Sequence, residues 1–127
     1  MTTREIVTAY IAAIEAHDLE AVAGYLHPDV ENVEHPNKLL PAGRRYDKVA
    51  MRAAGERGKA AMSRERYEIR QMIIEGSRAA VQVAWSGTLA VAVGPLPAGH
   101  VMQAQICSVI EVKDGKVWRQ EQYDCFE

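Results

Sequence analysis

The stretch Glu111-Val112-Lys113-Asp114-Gly115-Lys116-Val117-Trp118-Arg119-Gln120-Glu121-Gln122-Tyr123-Asp124-Cys125-Phe126-Glu127 decides the architecture. Asp114-Gly115 is a strong two-residue hairpin signal, because both central residues of a type I′ turn need positive φ. It joins two strand-forming runs into an antiparallel pair. Side chains alternate along a strand, so Trp118, Gln120, Gln122, Asp124 and Phe126 fall on one face. An apolar frame that carries amides and a carboxylate suits a pocket wall better than a closed core.

Upstream of this hairpin the chain is again β. The segment His100 to Lys113 returns from a Gly94–Gly99 turn, and Ala79 to Val93 alternates through Val81, Val83 and Trp85. Arg66 to Glu75 precedes a Gly76-Ser77 turn. The first half of the sequence reads differently. Thr2-x-x-Glu5 is a capping box, in which each side chain satisfies a free backbone N–H. Ile6, Val7, Tyr10, Ile11 and Ile14 follow at helical spacing, and this helix stops near His17. Asp18 caps a second helix with Leu19, Val22, Ala23 and Leu26 on its buried face, and His27-Pro28 ends it.

Val30 to His35 reads as a short strand cut off by Pro36. Residues 36–46 read as a loop with no regular element. Asp47 then caps a third helix running to Met62, which Gly55 and Gly58 weaken by about 1 kcal/mol each relative to alanine. Helices first and long consecutive strands afterwards mean an α+β fold, a mostly antiparallel sheet with helices on one face. Residues 1–127 form one domain with no internal linker. A long twisted sheet curling around a helix layer leaves a cone-shaped cavity, the default place for a ligand.

Composition narrows the function. The chain of 127 residues has a formal net charge of −2, with 17 acidic residues against 15 Lys and Arg, and its basic residues are scattered. No field gathers nucleic acid or an anionic membrane surface, so neither is an expected partner. The amphipathic start is neither a signal nor a transit peptide, and no apolar run approaches the roughly 20 residues that span a bilayer. A cytoplasmic protein with two reduced, buried thiols, Cys107 and Cys125, is the expectation. There is no metal-ligand spacing, phosphate loop or nucleophile motif, so no metal and no cofactor is expected.

The ordered set Tyr10-Ile11-Ala12-Ala13-Ile14-Glu15-Ala16-His17-Asp18-Leu19, Leu26-His27-Pro28-Asp29-Val30, Val33-Glu34-His35-Pro36, Gly43-Arg44-Arg45-Tyr46-Asp47 and Asp114-Gly115-Lys116-Val117 before Tyr123-Asp124 resembles the nuclear transport factor 2-like superfamily. That group includes ketosteroid isomerases, limonene epoxide hydrolases, scytalone dehydratase and SnoaL-type polyketide cyclases. The resemblance covers essentially the whole chain. It implies a curved sheet wrapped around the N-terminal helices as a cone, a pocket between the two layers, and commonly a homodimer through the outer sheet face. Against the ketosteroid isomerases, Tyr10 takes the place of the oxyanion-stabilising tyrosine and His35 that of the aspartate base. Cys107 stands where those enzymes carry a second oxyanion donor. Asp124 lies near the acid/base aspartate of the epoxide hydrolases and SnoaL-type cyclases.

Each candidate has two readings. His35, expected to point inward with Val33, is a general base of suitable intrinsic pKa, or a strand-end histidine bonded to a loop carbonyl. Asp124 orients His35 or acts as acid/base itself, its pKa raised by hydrocarbon; otherwise it is a solvated carboxylate. Tyr10 donates its hydroxyl to an oxyanion, or is a core tyrosine with its hydroxyl at the rim. Gln120 and Gln122 orient a ligand, while Val81, Val83, Val33, Trp85, Trp118 and Cys107 surround it. His17, His27 and His100 are expected to be exposed. The sequence therefore points to a cofactor-independent lyase, isomerase or cyclase acting on a small hydrophobic carbonyl compound, with a non-catalytic binder of such a molecule as the alternative.

Overall fold

The capping box at the N-terminus forms as expected: Glu5 N donates to Thr2 Oγ1 at 3.1 Å and Thr2 N to Glu5 Oε1 at 2.9 Å. It starts α1 (Thr3–Glu15), whose buried stripe is Ile6, Val7, Tyr10, Ile11 and Ala13. A computed structural model describes all 127 residues. Asp18 caps α2 (Leu19–Tyr25) by accepting from Ala21 N at 3.1 Å. Asp47 caps α3 (Lys48–Ala61) by accepting from Ala50 N at 2.8 Å. The strands are β1 (Leu26–Glu34), β2 (Arg44–Tyr46), β3 (Met62–Glu75), β4 (Arg78–Leu89), β5 (Val101–Lys113) and β6 (Lys116–Phe126).

The six strands form one open, curved, mixed sheet in the order β2-β1-β6-β5-β4-β3. Only the β1–β6 pairing is parallel, with Asn32 beside Gln120 and Glu34 beside Gln122. The β5–β6 turn has the expected geometry, with Asp114 at φ 54° and Gly115 at φ 73°. One face of the sheet packs on α1. Val7, Tyr10 and Ile11 meet Ala79, Val81, Val83 and Trp85 of β4, Ala104 and Ile110 of β5, and Val117 of β6. Each fully buried aliphatic side chain contributes roughly 1.5–3 kcal/mol, so this seam anchors the fold. Neither α2 nor α3 has a buried residue, and the two form a lightly attached cover beyond the seam.

Several boundaries differ from expectation. Leu26 and Pro28 belong to β1, not to the second helix; the β1–β6 register shifts between Leu26 and Glu31, and Pro28 occupies that irregular stretch. Within the 36–46 segment, residues 44–46 form a short edge strand that pairs with β1 at Asn32–Glu34, an interaction no local pattern encodes. β3 begins at Met62, where the third helix was expected to end. β4 stops at Leu89, and Val93 makes only an isolated bridge to Leu96.

The β5–β6 ladder carries a bulge. Glu111 pairs with Arg119 but Val112 pairs with Val117, so Trp118 is the extra residue. A bulge shifts the side-chain alternation. Val117 and Gln120 both face inward, and Trp118 leaves the face it was expected to share with Gln120. Its ring instead lies against Lys113 Nζ at 4.5 Å and the Arg119 guanidinium at 3.9 Å.

Candidate functional site

Between the sheet and the α2–α3 cover lies a cavity of about 710 Å³. α1 supplies Tyr10 and Ile14, β1 supplies Asn32 and Glu34, and β6 supplies Gln120 and Gln122. Leu19 and Val22 of α2 and Met51 and Ala54 of α3 give it apolar sides, and Ser108 and Ile106 of β5 complete the floor.

The floor is a chain of hydrogen bonds. Tyr10 is 2 % exposed and donates its hydroxyl to Gln120 Oε1 at 2.7 Å. Burial holds that phenol well above its ordinary pKa. Asn32 Nδ2 donates to Gln122 Oε1 at 3.1 Å, and Gln122 Nε2 donates to Asp124 Oδ2 at 3.1 Å. A carboxylate is acceptor-only, so Asp124 fixes the orientation of both amides. Asn32 Oδ1 and Asp124 Oδ1 are buried with no partner. Asp124 sits behind Gln122. Burial raises its pKa, the Gln122 hydrogen bond opposes that shift, and the charge of Glu34 adds to it. Glu34 accepts from the Tyr46 hydroxyl at 2.7 Å and from Asn37 Nδ2 at 2.9 Å. The Tyr46 hydroxyl is pushed up to about 12, first by burial and then by that bond.

A second polar centre was not expected. His17 occupies the left-handed region at φ 54°, just past the end of α1. Its Nε2 lies 2.6 Å from Glu65 Oε2, and the two side chains are only 17 % and 13 % exposed. Glu65 also accepts from Trp85 Nε1 at 3.1 Å and from the Tyr67 hydroxyl at 3.4 Å. His17, Glu65 and Tyr67 all line the cavity. Burial, followed by the charge of Glu65, holds the Tyr67 phenol well above its usual pKa.

The structure brings Tyr10, Gln120 and Gln122 together on the cavity wall, with Asp124 joined to them through Gln122. His35 is elsewhere. Asn32 and Glu34 face inward on β1, so Val33 and His35 face outward. His35 stacks on Tyr123 with ring centroids 4.4 Å apart, and its Nε2 lies 3.3 Å from Glu121 Oε1. With Val33 it borders a separate depression of about 370 Å³ beside Arg44 and Arg45. Cys107 pairs across the ladder with Tyr123 on that same outer face, and Cys125 is exposed, not buried. Trp85, Val81 and Val83 point inward but belong to the packed core and do not border the cavity. Trp85 is nevertheless tied to the site through Glu65.

Asn32, Glu34, Ser108, Glu65 and His17 are among the cavity residues that sequence reasoning passed over. The buried Val30 is the signal that finds the first two, because strict alternation from it places Asn32 and Glu34 inward. No local signal gives the His17–Glu65 contact, which spans 48 residues of sequence.

The profile of the SnoaL-like domain matches residues 7–120. No curated protein matches the sequence. Among solved structures the chain is similar to IdmH of Streptomyces antibioticus, with a TM-score of 0.83 and 16% identity over 98% of this chain and 92% of that one. It is also similar to a SnoaL-like polyketide cyclase of Agrobacterium tumefaciens (TM-score 0.73, 15% identity, 98% and 91% covered). A third is an LEH-like epoxide hydrolase of Mycobacterium tuberculosis (TM-score 0.73, 17% identity, 98% and 82% covered). Identities this low speak to the fold. No helix is long and apolar enough to cross a membrane.

Proposed function

The chain belongs to the SnoaL-like domain family, and from that premise we propose that it is a cofactor-independent acid–base catalyst of the lyase, isomerase or cyclase kind. Its substrate is a small, mostly apolar carbonyl compound held between the sheet and the α2–α3 cover. The observation that carries this reading is the inner face of β6, where a carboxyl group of raised pKa stands behind two amides on an otherwise apolar wall. A carboxyl that holds its proton more tightly than usual is a stronger base toward a carbon acid than an ordinary surface carboxylate.

Asp124 is the acid/base, reached from the cavity when Gln122 turns aside, and in the free protein Gln122 holds one of its oxygens while Asn32 holds Gln122. Ser108, opposite Gln122 on β5, brings a hydroxyl to the cavity floor for the carbonyl oxygen. Tyr10 acts through Gln120, since a ligand oxygen reaches its hydroxyl only by displacing that amide. His35 has no part in this chemistry. A homodimer through the outer sheet face, where Ile73, Val109 and Tyr123 are exposed, belongs to the same proposal.

The test is deuterium exchange at the carbon next to the carbonyl of 1-indanone in D2O, followed by proton NMR. Wild-type protein is expected to accelerate exchange, and Asp124→Asn to lower the rate at least tenfold with little change in melting temperature. Equal rates for the two proteins remove Asp124 from the mechanism. The commitment of Tyr10 to Gln120 favours one competing reading, a binder without turnover. Native mass spectrometry of freshly purified protein separates the two, because a retained, unreacted apolar ligand supports binding alone.

A further inference from the structure

We propose that His17 and Glu65 form a second proton-transfer centre of the cavity, with His17 Nδ1 as the general base and Glu65 as its positioning residue. This deepens the acid–base reading above and rests on it. Three independent observations point the same way.

The first is geometry. Glu65 accepts hydrogen bonds and donates none, so the nitrogen 2.6 Å from it carries a proton. That nitrogen is Nε2, which leaves the lone pair of a neutral imidazole on Nδ1. Nδ1 makes no hydrogen bond to the protein, and the ring borders the cavity. The second observation is the carboxylate's own environment. Donors from Trp85 and Tyr67 hold Glu65 in place, so the imidazole is oriented by a fixed partner. The third is the backbone. Left-handed φ at a helix end is normally left to glycine or asparagine, and a histidine there carries a conformational cost. The turn is held by Asp18 N donating to Ala13 O at 3.1 Å, and this fixes the direction in which the ring leaves α1.

In the step this arrangement serves, Nδ1 takes a proton from the carbon next to the substrate carbonyl. The electrons of the broken C–H bond form the enolate, and the ring becomes an imidazolium. Glu65 stabilises the new positive charge, as does the carbonyl end of α1 beside it. The proton then returns to the substrate at the same or another carbon, so the step is balanced without a co-reactant. The titratable groups around His17 are Glu65 and Tyr67 of β3, Glu15 of α1, which accepts from Tyr67 N at 2.7 Å, and Asp18 at the start of α2.

The test uses the same 1-indanone exchange assay. His17→Asn is the variant of choice, since asparagine tolerates left-handed φ. It is expected to lower exchange about 100-fold or more. Glu65→Gln keeps the imidazole but is expected to move the acid limb of the pH–rate profile to lower pH, because a neutral amide stabilises an imidazolium less. Long-range proton–nitrogen NMR on the free wild-type protein is expected to show that the neutral form of His17 carries its proton on Nε2. Exchange that survives in His17→Asn but is lost in Asp124→Asn overturns this inference and leaves the broader reading intact. A wild-type protein that does not accelerate exchange overturns both. A proton on Nδ1 with a bare Nε2 overturns this inference regardless of the kinetics.

Discussion

Glu65 and Asp124 are both carboxylates of the inner sheet face, yet the fold treats them differently. Glu65 receives donors on both oxygens, from His17, Trp85 and Tyr67. Asp124 receives one donor, from Gln122, and its second oxygen is sealed without a partner. The first arrangement locks a geometry, whereas in the second burial raises the pKa of a carboxyl with a single donor. Two half-buried acids of one sheet face thus differ in how many donors hold them.

The largest expected effect comes from breaking the well-supplied centre. Glu65→Leu leaves an indole N–H, a phenol and an imidazole without their acceptor, and is expected to cost about 3–5 kcal/mol in urea unfolding. A loss below about 1 kcal/mol means that the three donors find other partners, and the contrast collapses. Tyr10→Phe comes next. It removes one buried hydrogen bond and strands Gln120 Oε1, for an expected loss of about 1–2 kcal/mol in the same measurement.

Asp124→Asn gives the smallest effect, within about 1 kcal/mol, and in the opposite direction. A carboxyl whose folded pKa is raised contributes stability that is fully present below its unfolded pKa. That contribution is lost as pH rises through the folded value. Asparagine has no such loss, so the stability advantage of Asp124→Asn over wild type should widen from mildly acidic pH toward neutrality. Urea midpoints across that range read the gap directly. A gap that stays constant places Asp124 in an environment no drier than that of an ordinary surface acid.

The parts of the fold legible in the sequence are those with short-range causes. The Thr2–Glu5 box, the stripe from Ile6 to Ile11 and the Asp114-Gly115 turn all form as their chemistry predicts. So does the alternation of Gln120, Gln122, Asp124 and Phe126. β1 was misread for a physical reason. Val33 is apolar and faces outward, while Asn32 and Glu34 are polar and face inward, because a cavity wall needs partners for its amides where a core does not. Reading the face from Val33 instead of Val30 therefore pointed outward, and His35 went with it. Trp118 was misplaced by a single bulged residue, which shifts alternation without leaving a local mark. His17 was invisible for another reason, since its role depends on a strand 48 residues away.

The parallel pairing of β1 with β6 has a consequence for how the molecule is made. β6 comes last in chain order yet lies third in the sheet, between β1 and β5. A chain halted before residue 116 has its two half-sheets unjoined, and each presents an open edge to other chains. The cavity at that stage lacks Gln120 and Gln122, the middle of its floor. Completion of the sheet and of the binding site therefore depends on the same strand, through the one pairing that joins the two ends of the chain.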